Sequence, residues 1–389
     1  MHMKHFLLST IILTTTSFAG TQEGNFLEDI GSDSSSFEFN DTESDEKSSF
    51  KISPTFSIDV DLLVSEDINV QRYSTDLQLE HRDTTVGIAY SRIQYDLDIT
   101  GESVSPVNET TSTDRVTLTL GQEWTDKASS SFSLSGYQGF TNFRSIWINQ
   151  IFEQDLGGAP GFRDANPFGF SANLSNTFIL PNDFDSITWG IGYSRDRIAA
   201  GQQIETFPGP PFIAVTQGND TLDTISTSLT GNFFITNKFT TQWFFRAAFV
   251  SAREVRTQYR IKTAWNIIDK LTLRGEIGAT IERPNFESYY GGATLSYQIT
   301  APLSLTVGYR IYTDTGEVTT SNFNSSAPEL DSTEISASMR WSNGTHSLST
   351  SVAFLQTDFG TVNSASAPFE DLFSDREFFA IRAAYTYQF

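Results

Sequence analysis

The chain has 389 residues and no cysteine, which excludes a disulfide framework, a thiol nucleophile and any cysteine metal site. Its 47 acids against 25 bases give a formal net charge of −22. This argues against nucleic acid as a partner, because phosphate binding needs clustered Lys and Arg.

Residues 1–19 read as a signal peptide. Lys4 supplies the positive charge, Phe6 to Leu13 the short apolar stretch, and Ser17-Phe18-Ala19 a small-x-small cleavage site. The apolar stretch falls well short of the ~20 residues that a membrane-spanning helix needs. No longer apolar run follows, so no transmembrane helix is expected. Residues 20–49 hold nine acids against Lys47 alone, with few large apolar side chains, and read as a disordered periplasmic lead. A small plug is the alternative. Without residues 1–49 the chain still carries 38 acids against 23 bases.

From Phe50 the pattern changes to period two, the spacing that puts alternate side chains on opposite faces of a strand. Leu303, Leu305, Val307, Tyr309 and Ile311 alternate with Ser304, Thr306, Gly308 and Arg310. Ile335, Ala337, Met339 and Trp341 alternate with Ser336, Ser338 and Arg340. Apolar-out and polar-in alternation of this kind is the mark of a transmembrane barrel. Sixteen such strands fit between residues 50 and 389. Fourteen is the alternative count, if Pro54 breaks the first strand and the third, 84–99, lacks the bulge it needs near Ser91-Arg92.

The connections alternate in length. Short ones, such as His81-Arg82-Asp83, Thr236-Asn237-Lys238 and Ser342-Asn343-Gly344-Thr345, carry turn chemistry. Long ones are expected at 100–112, 144–169, 196–221, 314–330 and 358–376. Barrels of outer membranes have short periplasmic turns and long outer loops. Trp124, Trp243, Trp265 and Trp341 each stand beside a short turn and form an aromatic girdle at the membrane–water interface.

The last strand alternates Phe379, Ile381, Ala383, Tyr385, Tyr387 and Phe389. It resembles the C-terminal signature of Gram-negative outer-membrane proteins, which the barrel-assembly machinery reads through a terminal Phe. The resemblance implies an outer-membrane location, contact with its lipid, and Phe389 as the assembly signal. The count of strands, with a long loop after the fifth, resembles the sixteen-stranded porins. In those porins the loop after strand five folds into the lumen as a constriction. Here the corresponding segment is rich in apolar residues, Gly and Pro, and would carry Glu153, Asp155 and Asp164 toward the pore centre. An extended hairpin or a subunit contact, and with it a homo-oligomer, are the alternatives.

Strand parity points Arg246, Arg260, Arg274, Arg310, Arg340 and Arg382 inward, on the last half of the barrel. It points Asp59, Asp61, Asp76, Asp96 and Asp98 inward on the first three strands. Opposed charge walls would orient polar solutes and screen ions by sign. No catalytic pair is singled out by spacing, no metal or other cofactor is implied, and His81 and His346 both lie at short turns. The reading is an all-β transmembrane barrel that serves as a passive channel for small polar solutes or ions. A role in assembly, envelope structure or polysaccharide export is the alternative.

Overall fold

The computed structural model describes residues 53–99, 107–139, 168–182, 184–206, 213–251, 255–284, 286–318, 326–361 and 374–388. The expected leader 1–19, the lead 20–49, Glu153, Asp155, Asp164 and Phe389 lie outside them. Sixteen strands form one closed antiparallel barrel. They are β1 (Ser53–Val64), β2 (Ile68–His81), β3 (Thr84–Ile99), β4 (Val107–Thr125), β5 (Ala128–Gly139), β6 (Phe168–Ile179), β7 (Ser186–Thr206) and β8 (Ile213–Thr236). There follow β9 (Phe239–Val250), β10 (Val255–Ile268), β11 (Leu271–Glu282), β12 (Phe286–Thr300), β13 (Leu303–Asp314), β14 (Leu330–Ser342), β15 (His346–Phe359) and β16 (Arg376–Gln388). A two-residue hairpin, Glu317–Val318 with Ser326–Ala327, stands apart between β13 and β14.

Period two decides which face is which. Val307, Tyr309 and Ile311 are about half exposed, as are Ile88, Leu118 and Ile191, and Ile277 and Ile335 are 62% and 60% exposed. The polar residues between them face inward. In water a belt of this size would cost about 25 cal/mol for every Å² of apolar surface, so the outward face suits hydrocarbon. Trp124, Trp243, Trp265 and Trp341 all lie outward at the short-turn end, and Trp189 joins them. Their indole N–H groups find acceptors there: Trp124 donates to Ser130 Oγ at 2.8 Å and Trp243 to Thr241 Oγ1 at 3.1 Å. At the long-loop end, tyrosines mark the other interface. Tyr90, Tyr193 and Tyr289 donate to Asp114, Asp223 and Glu287, which pair with Arg92, Arg195 and Arg283.

Short turns explain the register. Asn343 Oδ1 accepts the backbone N–H groups of Thr345 and His346, and Gly344 takes the positive φ of +89° that closes this turn. Register shifts fall just before four short turns, at Glu123/Thr125, Phe234/Thr236, Asn266/Ile268 and Gln298/Thr300. No shift occurs at Ser91-Arg92: β3 pairs with β2 and β4 in continuous register. The expected bulge is absent, so Asp96 stays on the outward face with Tyr90 and Arg92, not in the lumen. Asp98 pairs opposite Asn108 in the same unbroken register, and its side chain lies outside the described residues. Pro54 sits at the start of β1, where a missing N–H is tolerated.

One expected loop is largely strand and another is nearly half strand. β7 and β8 stay paired from Ser186–Asn232 to Thr206–Ile213, so residues 196–206 and 213–221 of the expected loop are strand. β4 likewise starts at Val107 instead of 113. Beyond the ~9–11 residues that cross the hydrocarbon, a strand need not alternate apolar and polar, and the pattern that marks it in sequence disappears.

β1 closes the barrel against β16, from Thr55 opposite Gln388 to Val64 opposite Phe379. A half-buried ion pair locks the seam at its long-loop end. Arg376 reaches from the start of β16 to Asp67 in the β1–β2 turn, with Nε–Oδ1 at 2.8 Å and Nη2–Oδ2 at 2.7 Å. Burial alone would raise the Asp67 carboxyl. The Arg376 hydrogen bonds and charge, with the Ser65 hydroxyl, outweigh it and hold the group below the usual carboxylate range. A depressed folded value means that this stabilisation is complete above the ordinary carboxylate pKa and is lost as pH falls through the lower folded one. Asp67→Asn is therefore expected to destabilise the barrel at neutral pH by about 1–3 kcal/mol. It should also flatten the loss of stability as pH falls from neutral through and below the ordinary carboxylate range. Urea unfolding in detergent micelles across that range measures both; equal pH dependence in the two proteins would refute the assignment.

Candidate functional site: the lumen wall

Inward-facing residues divide the wall into three sectors. On β1, β2 and β16, Asp61 lies directly opposite Arg382 on one side and Arg72 on the other. Arg382 Nε stands 3.1 Å from Asp61 Oδ1. Asp59 lies across from Ser74, whose hydroxyl approaches it at 3.4 Å, and Asp76 faces Ser57. This side is acidic but interleaved with arginine.

From β5 to β8 most of the described inward side chains are small and neutral, with Tyr137 and Phe234 the large exceptions. Ser133, Ser171, Asn173, Ser194, Ser226 and Thr230 are examples of the small ones, with Gly190 and Gly192 among them. They satisfy one another: Thr177 and Thr188 share a hydrogen bond at 2.8 Å, and Asn232 donates to Ser186 at 3.1 Å.

The third sector, β9 to β14, holds most of the charge. One row crosses it at a single level: Lys262, Glu276, Gly292, Arg310 and Glu334 are successive cross-strand neighbours. Glu276 receives Lys262 Nζ at 3.7 Å and Arg310 Nε at 3.6 Å. Arg310 and Glu276 are separated by a whole strand. They meet because Gly292 lies between them without a side chain; a Cβ there would stand 3.4 Å from Arg310 Cγ. The adjacent row runs Phe244, Arg260, Gly278, Tyr290, Tyr312. Tyr290 lies flat over Gly278, where a Cβ would overlap its ring, and the Arg310 guanidinium stands 5.9 Å from that ring's centre. Arg260 packs over Phe244 at 5.1 Å. Arg274 donates to Ser296 Oγ at 2.8 Å.

Toward the long-loop end the wall closes up. Leu63, Val70, Leu355 and Phe378 face inward there and are buried. Arg256 and Glu282, each 2% exposed, pair at 2.6 Å, with Phe286 under the guanidinium at 4.9 Å.

Arg246, Arg260, Arg274, Arg310, Arg340 and Arg382 thus share the inner face with Asp59, Asp61 and Asp76, and Asp61 stands directly beside Arg382; Asp96 is not on that face. Sequence reasoning missed the carboxylates between the arginines. Parity alone marks Glu276 and Glu334. Arg256 and Arg376 stand at strand starts, where boundaries are least certain.

A buried pair is costly to break from one side and less so to replace. Arg256→Met is expected to lower stability by about 3–5 kcal/mol, and Arg256→Met with Glu282→Leu to recover most of it. Urea midpoints of the three proteins decide this; a double variant as unstable as the single would contradict it.

No family model matches the sequence, and no curated protein does. Among solved structures the chain is similar in fold to CdiB from Acinetobacter baumannii, with a TM-score of 0.51 and 9% identity over 86% of this chain and 60% of that one. It is also similar to the siderophore receptor PirA from Acinetobacter baumannii, with a TM-score of 0.41 and 8% identity over 80% of this chain and 53% of that one. A bacterial polysaccharide outer membrane secretin matches with a TM-score of 0.49 and 8% identity over 86% and 98% of the two chains. The chain spans less than two thirds of the length of the first two. At these identities the likeness is one of fold: the chain has the fold of Gram-negative outer-membrane β-barrels.

Proposed function

We propose that this chain is an outer-membrane channel through which small polar solutes or ions diffuse passively. The observation that carries the reading is the inner wall. Charged rows and hydroxyl-bearing strands face a sixteen-stranded lumen, and side chains of this kind are stable there only if water reaches them. Rows of mixed charge beside a neutral, hydroxyl-bearing sector offer polar solutes weak contacts of both signs without trapping them. In this reading the outward apolar belt lies in lipid, and Phe389 is the signal for the barrel-assembly machinery. Acids and bases alternate along the wall, so ion selectivity is expected to be weak despite the net charge of −22.

Purified protein in a planar bilayer is expected to give discrete conductance steps with a small reversal potential in a salt gradient. Glu276→Gln with Glu334→Gln frees Arg310 and Lys262 and should raise the chloride-to-potassium permeability ratio by roughly two- to tenfold, equivalent to at most about 1.4 kcal/mol. Correctly folded protein that inserts without conducting would refute passive diffusion and favour an assembly or export role.

A further inference from the structure

Between β9 and β14 the inner face holds six arginines, Arg246, Arg256, Arg260, Arg274, Arg310 and Arg340, against four described carboxylates, Glu276, Glu282, Asp314 and Glu334. Arg246 is 5% exposed on the inner face of β9. Its Nη2 donates to Ser226 Oγ at 3.2 Å, while Nη1 is buried without any hydrogen-bond partner. Directly across from Arg246 stands Gln258 of β10, and the next same-face residues on that strand are Arg256 and Arg260. Such diagonal neighbours lie within reach of long side chains. Arg260 also keeps a buried Nε without a partner.

None of the described carboxylates of this wall meets Arg246 or Arg260. Glu334 stands opposite Arg310, four strands from Arg260, and its Oε2 is itself buried without a hydrogen bond. The other three are engaged. Glu282 pairs with Arg256. Glu276 is shared by Lys262 and Arg310. Asp314, in the row of Gln258, accepts the Tyr312 hydroxyl and the backbone N–H groups of Gly316 and Leu330. A buried guanidinium nitrogen with no acceptor is a group waiting for one, because charged donors withdrawn from water need a partner. Phe244 lies under the Arg260 guanidinium at 5.1 Å, and the planar fork of a guanidinium suits an oxyanion.

We infer that Arg246 and Arg260, with the Gln258 amide, form a binding site in the lumen for the anionic group of a solute, a phosphate or a carboxylate. Arg260 meets the anion from the lumen and Arg246 completes the site behind it. The inference needs a water-filled lumen but not ion conduction, so it stands or falls separately from the channel reading.

The test uses the full barrel in non-ionic detergent, titrated with inorganic phosphate and separately with acetate. The control is sodium chloride at matched ionic strength, and the readouts are calorimetry and thermal unfolding. Saturable binding, with an unfolding temperature raised above the chloride control, is expected for at least one of the two; which one binds identifies the phosphate or the carboxylate as the group taken. Arg260→Gln should weaken that binding at least tenfold, and Arg246→Gln likewise, with Arg246→Lys in its place if the glutamine variant does not fold. Arg340→Gln, on a different row, should leave it unchanged. Phosphate and acetate indistinguishable from chloride would overturn the proposal, and so would equal weakening by Arg340→Gln. Binding without bilayer conductance would reject the channel and keep the site; conductance without binding would do the reverse.

Discussion

Hydrocarbon offers no hydrogen-bond partner to a peptide group, and from that one constraint the architecture follows. Every N–H and C=O that crosses lipid must be met by a neighbouring strand, so the sheet has to close. Closure joins the two ends of the described barrel, β1 and β16, whose contact is the most distant in sequence. The Arg376–Asp67 pair stands at that seam. Once the sheet is closed, the pleat sorts the side chains: what faces lipid is apolar, and what faces the lumen is free to be charged.

The lumen uses that freedom in an ordered way. Charges lie in cross-strand rows, because antiparallel register places inward residues of neighbouring strands at one level. Glycines set how far a row reaches. Gly292 lets Arg310 pass over a strand to Glu276, and Gly278 lets Tyr290 lie against the wall. Most charges are neutralised within their row, as Glu276 and Asp61 show. Around Gln258 two guanidiniums exceed the acids available. The small hydroxyl residues of β5 to β8 leave room opposite this crowded side.

Much of this was legible in sequence because period two is a strong local signal when one face is lipid. It located all sixteen strands, the short turns and the inward side of Arg310 and Arg382. It failed where the constraint behind it stops. Beyond the lipid, β7 and β8 continue as a paired hairpin whose residues 196–206 and 213–221 have no reason to alternate, and they read as loop. In β3 the apolar positions switch parity after Tyr90, from Val86, Ile88 and Tyr90 to Ile93, Tyr95, Leu97 and Ile99. By sequence such a switch implies a bulge and an inward Asp96, but continuous pairing with β2 and β4 keeps Asp96 outward. Trp189 escaped notice because it sits four residues inside its strand's turn. The pairing of Glu276 with both Lys262 and Arg310 depends on register across four strands, which no single stretch of sequence contains. The segment carrying Glu153, Asp155 and Asp164 lies outside the described residues.

The central claim is that one face of each strand meets lipid and the other meets water. The chain has no cysteine, so a single introduced thiol reports its own surroundings. Ser228→Cys, Thr306→Cys and Ser338→Cys probe the inner face, and Leu229→Cys, Val307→Cys and Met339→Cys probe the outer face one residue away. With the barrel in lipid vesicles and a charged, water-soluble thiol reagent, the first three should be labelled and the last three protected. Labelling of the outer set, or an inner set as unreactive as the outer, would contradict the account.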